Sequence, residues 1–187
     1  MSQAHQRKKQ PEQVRRALLD NAARMAAEHG IAGVTVQAVA GAAGVTKGGL
    51  FHHFPNKKAM VDAVFDDLLE QCGQRIDALL AEDPVQHGRF TRAYVKVLFE
   101  ENGENALDPW KALSMSMITE PVLQQMWGNW MSHRLARHGD TDNDPMLEIV
   151  RLAADGAWLA FMSQTHEALL PDVTGLRERL IALTTRT

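Results

Sequence analysis

The side chains best suited to chemistry in this 187-residue chain fall in one stretch, Thr35 to Lys58, TVQAVAGAAGVTKGGLFHHFPNKK. It offers hydroxyls at Thr35 and Thr46, ammonium groups at Lys47, Lys57 and Lys58, and imidazoles at His52 and His53. An ammonium such as that of Lys47 can donate to guanine O6 and N7, so the chemistry on offer is recognition. Residue types that could support catalysis or metal binding elsewhere lack the context they need. Ser114 and Ser116 have no G-x-S-x-G surroundings, and no glycine-rich loop is present to cradle a phosphate. Asp140-Thr141-Asp142-Asn143-Asp144 mimics the start of a calcium loop, but position six is Pro145 and position twelve is Arg151, where Gly and Glu belong. His133 and His138 stand five apart and do not share a helix face, so with Asp140 they make a poor metal set. No catalytic residue, metal or cofactor is expected.

Two short helices and a tight corner must position these groups. Thr35 is a good N-cap, and Val36, Val39, Ala40 and Ala43 then recur at helical spacing. Gly44 can take a positive φ and stop that helix, with Val45 packing back onto it. Thr46 caps a second helix, Lys47 to Phe54, anchored by Leu50 and Phe54 at i, i+4. Pro55 ends it, and Asn56 caps the next helix. Two helices joined by a sharp glycine-containing turn form a helix-turn-helix, whose second helix lies in the DNA major groove.

The run V-T-V-x-x-V-A-x-x-A-G-V-T-K-G-G-L-F-H-H-F-P-N-K-K, preceded by a helix ending Glu28-His29-Gly30-Ile31, resembles the DNA-binding domain of the TetR/AcrR family of bacterial repressors. The resemblance covers roughly residues 11 to 70; beyond it the chain is similar only in being helical. It implies an all-α protein: an N-terminal three-helix domain (11–70, helix-turn-helix unit 35–54) and a helical effector-binding and dimerisation domain (71–187). It also implies the DNA-contacting positions. Thr46, Lys47 and Gly48 face the groove, His53 meets a phosphate, and Phe51 stands where the family usually has Tyr. Without the hydroxyl, Phe51 is left with packing or a thymine-methyl contact. Thr35, Gln37, His52 and Lys57 complete the candidate set. Lys58 stands where the family often has an acid, and it is expected to attract phosphate. The implied partners are a palindromic double-stranded operator, a small apolar or aromatic effector, and a second copy of the chain joined through the last two helices. The implied activity is sequence-specific transcriptional repression, relieved when the effector binds. The alternative is a helical dimer whose basic end binds DNA without sequence choice, or binds a protein.

Charge distribution agrees with a nucleic-acid contact at one end. Residues 1–60 carry nine Lys/Arg against three acids, a net of +6, whereas the other 127 carry 11 against 20, a net of −9. The Arg7-Lys8-Lys9 arm either follows the duplex or serves as a solubilising tail. An apolar fraction of 45% is ample for a core, and no run of 18 apolar residues suggests a membrane span. MSQAHQRKKQ has no apolar segment of a signal peptide, and Cys72 stands alone, so a reducing cytoplasm is the expected compartment.

Along the chain, Pro11 is expected to open the first helix, with Val14, Leu18 and Met25 facing inward, and Gly30 to stop it. The helix after Asn56 is long, and Gly73 within it is either a bend or a tolerated weak point. Acid-Pro pairs at Asp83-Pro84, Asp108-Pro109, Glu120-Pro121 and Asp144-Pro145 predict helices over 84–101, 109–118, 121–138 and 145–169, and Pro171-Asp172 a last one to Thr184. Gly139 to Asp144 is expected to be a mobile, solvated turn. Ala153, Ala154, Gly156, Ala157 and Ala160 permit close helix approach, and Leu152, Leu159, Leu176, Leu180 and Leu183 add apolar area for a dimer or for the core. Trp110, Met117, Met126, Trp127, Trp130, Trp158 and Met162 either line a cavity for an effector or pack the core.

Overall fold

The computed structural model describes the backbone of residues 3–101 and 109–185 and the side chains of residues 11–100 and 113–185. Among the described residues it is all helical: α1 Gln3–Gly33, α2 Val36–Ala42, α3 Lys47–Phe51, α4 Lys57–Glu82, α5 Arg89–Glu101, α6 Pro109–Met117, α7 Pro121–Arg137, α8 Gly139–Asp142, α9 Pro145–Met162, α10 His166–Leu169 and α11 Val173–Leu183. The chain divides into two compact units, residues 1–68 with 106–126 and residues 69–105 with 127–187. The N-terminal unit is thus built from two separate pieces of sequence.

In the N-terminal unit α1 lies against α2 and α6. Its helix continues through Pro11 back to Gln3. Ala4, Gln6, Arg7, Lys8, Lys9 and Gln10 all favour helix, and proline's fixed φ is a helical one. The inward stripe is Leu18, Leu19, Ala22 and Ala26, all buried, while Val14 and Met25 are half-buried. Gly30 breaks the helix at φ 67, ψ 175, and one further turn follows to Gly33. Val34, Val39, Leu50, Phe54, Met60, Val64 and Phe65 complete the core with Leu113 of α6 and Leu123 of α7.

In the C-terminal unit α5 packs on α9 and α11. Phe90, Tyr94, Val97, Val150, Ala154 and Leu180 form the centre with Cys72, Ile76 and Leu80 of α4. Three sequence expectations need correction here. Asp83-Pro84 does not open a helix. Asp83 Oδ1 accepts from Val85 N–H at 3.0 Å, and its Oδ2 takes the Nε–H of the buried Arg92 at 2.6 Å. Arg92 also donates to His87 O, Val85 O and the Thr184 carbonyl and hydroxyl, so the 84–88 segment is held as a loop. Helix α5 starts instead at Arg89.

The Gly139–Asp144 stretch is not a solvated turn. It holds the short helix α8, and Asp142 is 3% exposed, accepting from Phe90 N–H at 3.2 Å and Thr91 N–H at 2.8 Å. Asp142 is thus the cap of α5, supplied from far along the chain. The predicted 145–169 helix is two: α9 ends at Met162 with Ser163 as its C-cap, Gln164 takes φ 56, and α10 follows. The Asp144 and Asp172 caps form as expected, accepting from Met146 N–H at 2.7 Å and Gly175 N–H at 2.8 Å.

Candidate nucleic-acid interface

Both threonine caps form. Thr35 Oγ1 accepts from Ala38 N–H at 3.2 Å and Thr46 Oγ1 from Gly49 N–H at 3.0 Å. Between them the chain turns at Gly44, φ 68, with Val45 N–H donating to Ala40 O at 3.0 Å and Gly44 N–H to Gly41 O at 3.1 Å. This pair of bonds closes α2 in a Schellman motif and swings the chain into α3. Leu50 is fully buried and Phe54 3% exposed, so α3 is bolted down by one face. Arg15 of α1 lies over the Phe54 ring at 5.3 Å.

The other face is open. Gln37, Thr46, Lys47, Gly48, Phe51 and His52 are exposed, as is Thr35 at the start of α2. Lys47 Nζ rests over the Phe51 ring at 5.7 Å, an i, i+4 contact along the open edge. Helix α3 is shorter than expected, ending at Phe51. His52 and His53 therefore lie on the turn that leads to Phe54, where His53 N–H and Phe54 N–H both donate to Leu50 O at 2.9 Å. Two glycines in five residues leave α3 little propensity to extend, and Pro55 disfavours helix in the residue before it. His53 is half-buried, its ring tilted against Phe54 at 6.4 Å.

Two lysines expected to attract phosphate have partners within the chain in this structure. Lys57 Nζ donates to Ile31 O at 2.8 Å and lies 3.4 Å from Ala32 O, at the C-terminal turn of α1. Lys58 pairs with Asp62 at 2.8 Å, one turn along its own helix. The sequence signal for Lys57 was faint: a helix stopped by Gly30 leaves carbonyls that attract a cation, and Lys57 begins the helix that returns beside it. Asn56 Oδ1 accepts from Ala59 N–H at 2.8 Å and caps α4 as expected.

The expected aromatic and methionine set is not gathered into one described cavity. Trp110 lies outside the described side chains. Met117 and Met126 belong to the N-terminal unit, and Trp127, Trp130, Trp158 and Met162 to the C-terminal one. Trp127 and Trp130 stack at 5.2 Å, and both pack with Trp158 against the core. One groove of about 470 Å³ is lined by Glu70, Gln74, Asp77, Trp130, His133, Arg134 and Arg137. A second, of about 350 Å³ in the N-terminal unit, is lined by Ile31, Lys57, Lys58, Val61, Asp62, Glu120, Val122 and Leu123. Of the six expected residues whose side chains are described, Trp130 alone lines either of these two grooves.

The family described as "Bacterial regulatory proteins, tetR family" matches residues 18–64, and "Tetracyclin repressor-like, C-terminal domain" matches residues 88–185, just over half the chain. The chain belongs to the TetR family. Among curated relatives, the HTH-type transcriptional repressor AcnR of Corynebacterium efficiens is 26% identical over 82% of this chain and 82% of that protein. The HTH-type transcriptional repressor KstR2 of Rhodococcus jostii is 45% identical over 56 residues, 30% of this chain and 28% of its own length. The matches to the first curated relatives span between 28% and 48% of those proteins. The solved multidrug binding protein EbrR complexed with malachite green has the same fold, with TM-score 0.70 at 21% identity, covering 91% of this chain and 97% of that one. So does SCO4454, a TetR-family regulator from Streptomyces coelicolor, with TM-score 0.61 at 20% identity over 97% and 96%.

Proposed function

We propose that this TetR-family chain is a sequence-specific DNA-binding repressor that acts as a homodimer and leaves its operator when a small apolar or aromatic ligand binds. One observation carries the reading. Helix α3 is short, fixed to the core by Leu50 and capped by Thr46, and it presents Lys47, Gly48 and Phe51 to solvent on a net-basic segment. A side chain set of this kind suits a major groove, with Thr46 and Lys47 at base edges and Thr35, Gln37, His52 and His53 toward phosphates. Gly48 admits the backbone close to the bases. The chain carries out no catalysis in this reading, and its place of action is the cytoplasm, beside the chromosome.

A single five-residue helix reads too few bases, so two copies spaced about 34 Å apart, or a multiple of that, are required. The exposed stripe on α9 suits that role: Ile149 is 57% exposed, Leu152 63% and Leu159 46%, with Gly156 open between them. Ala154, Ala157, Ala160 and Leu180 are buried within the unit and serve the core. For the effector, the groove holding Trp130 offers an aromatic wall with charged neighbours. A ligand displaces the operator only to the extent that it binds the DNA-incompetent state better.

The test is selection of bound duplexes from a random pool, followed by footprinting. An inverted repeat protected by two protomers is the expected result. Uniform coverage of all sequences would select the non-specific alternative, and no binding to any duplex at low ionic strength would end the proposal.

A further inference from the structure

We infer that Lys57 is a positioning residue for the recognition element rather than a phosphate contact, an assignment that rests on the DNA-binding reading above. Its ammonium reaches Ile31 O at 2.8 Å across 26 residues of sequence and lies 3.4 Å from Ala32 O. Everything between those two points is the helix-turn-helix itself: α2, the Gly44 corner, α3 and the His52-His53 turn. The bond therefore ties the exit of α1 to the entry of α4 and closes the segment that carries Lys47 and Phe51 into a loop.

Three features make this joint matter. Gly30 breaks α1 at φ 67, and in the last turn, Ile31 to Gly33, the Ile31 carbonyl accepts one backbone N–H, that of Val34 at 3.2 Å, which leaves its second lone pair for another donor. The carbonyls of this turn are the negative end of a helix, where a cation is favoured. The side of the joint formed by Ile31, Val61, Val122 and Leu123 is a groove of about 350 Å³, so apolar packing does not close it there. Lys58, the next cation, is directed elsewhere, to Asp62 one turn along its own helix. A Lys57 drawn to a phosphate would have to leave these carbonyls, loosening the frame of the helix it is meant to help.

The two roles predict different salt behaviour. A cation on a phosphate releases counterions, so its removal flattens the slope of log K against log[salt] by about 0.9. A positioning residue lowers affinity at every salt concentration and leaves the slope unchanged. The experiment measures operator binding from low to moderate salt for the wild type, Lys57→Met and Lys57→Gln, with amide hydrogen exchange over residues 34–54 of each free protein. The expected result is roughly tenfold weaker binding for Lys57→Met, a wild-type slope, and faster exchange in the segment. Lys57→Gln is uncharged but keeps a donor, so it should recover part of both losses. It also serves as the neutral variant if Lys57→Met does not fold. A slope reduced by about 0.9 in both variants would overturn the assignment, as would unchanged affinity with unchanged exchange. If the wild type binds no duplex, the repressor reading fails, and exchange alone still decides whether Lys57 holds the segment.

Discussion

Gly73 stands inside the 26-residue helix α4 because Arg134 occupies the place of its missing side chain. A Cβ there would lie 2.1 Å from Arg134 Nη2, with Trp130 Nε1 3.7 Å away. The guanidinium lies over the Trp130 ring at 5.3 Å and pairs with Asp77. In an ordinary helix Gly→Ala is favourable by about 1 kcal/mol. Here that gain is offset by pushing Arg134 off Asp77 and Trp130. Gly73→Ala alone should therefore be close to neutral, whereas in an Arg134→Ala background it should stabilise by about 1 kcal/mol. Urea unfolding of the four proteins measures this, and strict additivity would contradict it. At sequence level Gly73 reads only as a bend or a weak point, since the arginine that explains it lies 61 positions on. The threonine caps, the Gly44 corner and the exposed Lys47–Phe51 edge were legible because each depends on neighbours a few residues away. Lys57 was not, because its partners are carbonyls, which carry no sequence identity.

Helices follow the same rule. Local signals place the first residues of α6, α7 and α9, where Pro109, Pro121 and Pro145 stand, and the ends of α6 and α7 to within a residue; the end of α9 at Met162 they miss. The start of α5 escapes them because its cap, Asp142, comes from 52 residues away. Thr141 Oγ1 donates to the same carboxylate at 2.7 Å, and Arg151 donates to Thr91 Oγ1 at 2.7 Å on the facing helix. Asp142→Ala should cost about 1–2 kcal/mol by leaving the Phe90 and Thr91 amides without their acceptor. Asp142→Asn, which keeps one acceptor oxygen, should cost less. Thermal unfolding with hydrogen exchange at the first turn of α5 distinguishes the two; equal and negligible effects would show the cap to be idle. The acid-Pro signal at Asp83 failed for the converse reason: Arg92 and the Val85 amide already hold that carboxylate.

At the scale of the molecule, acid and base sensitivity comes from a few buried or half-buried groups. Burial raises Asp155 above its ordinary 3.8, against the lowering effects of the Tyr94 hydrogen bond and of Arg151. Burial and Asp155 together push the Tyr94 phenol well above 10.0. A carboxyl raised on folding gives stability that is complete below 3.8 and is lost as pH rises through its folded pKa. Asp155→Asn keeps an acceptor for Tyr94 and removes the charge. Its stability relative to the wild type should therefore increase from pH 4 to pH 7, as read from denaturant midpoints; a difference independent of pH would refute this. Asp83 acts in the opposite direction: burial raises it, but Arg92, the Val85 amide and Lys96 bring it below 3.8, so its contribution is lost in acid. His138, lowered from 6.5 first by burial and then by Arg137, also disfavours folding as pH falls below that value. The variant comparison isolates Asp155 from both.

Helix α6 lying along α1 has a practical consequence for anyone exchanging heads between relatives. A cut near position 70 transfers α1 to α3 but leaves behind the strip from 106 to 126 that folds with them. Such a chimaera would carry a donor α1 pressed against a host α6 chosen for a different surface. A transplant that respects this architecture must move two stretches of gene, not one, and its success is judged by whether the hybrid melts as sharply as either parent.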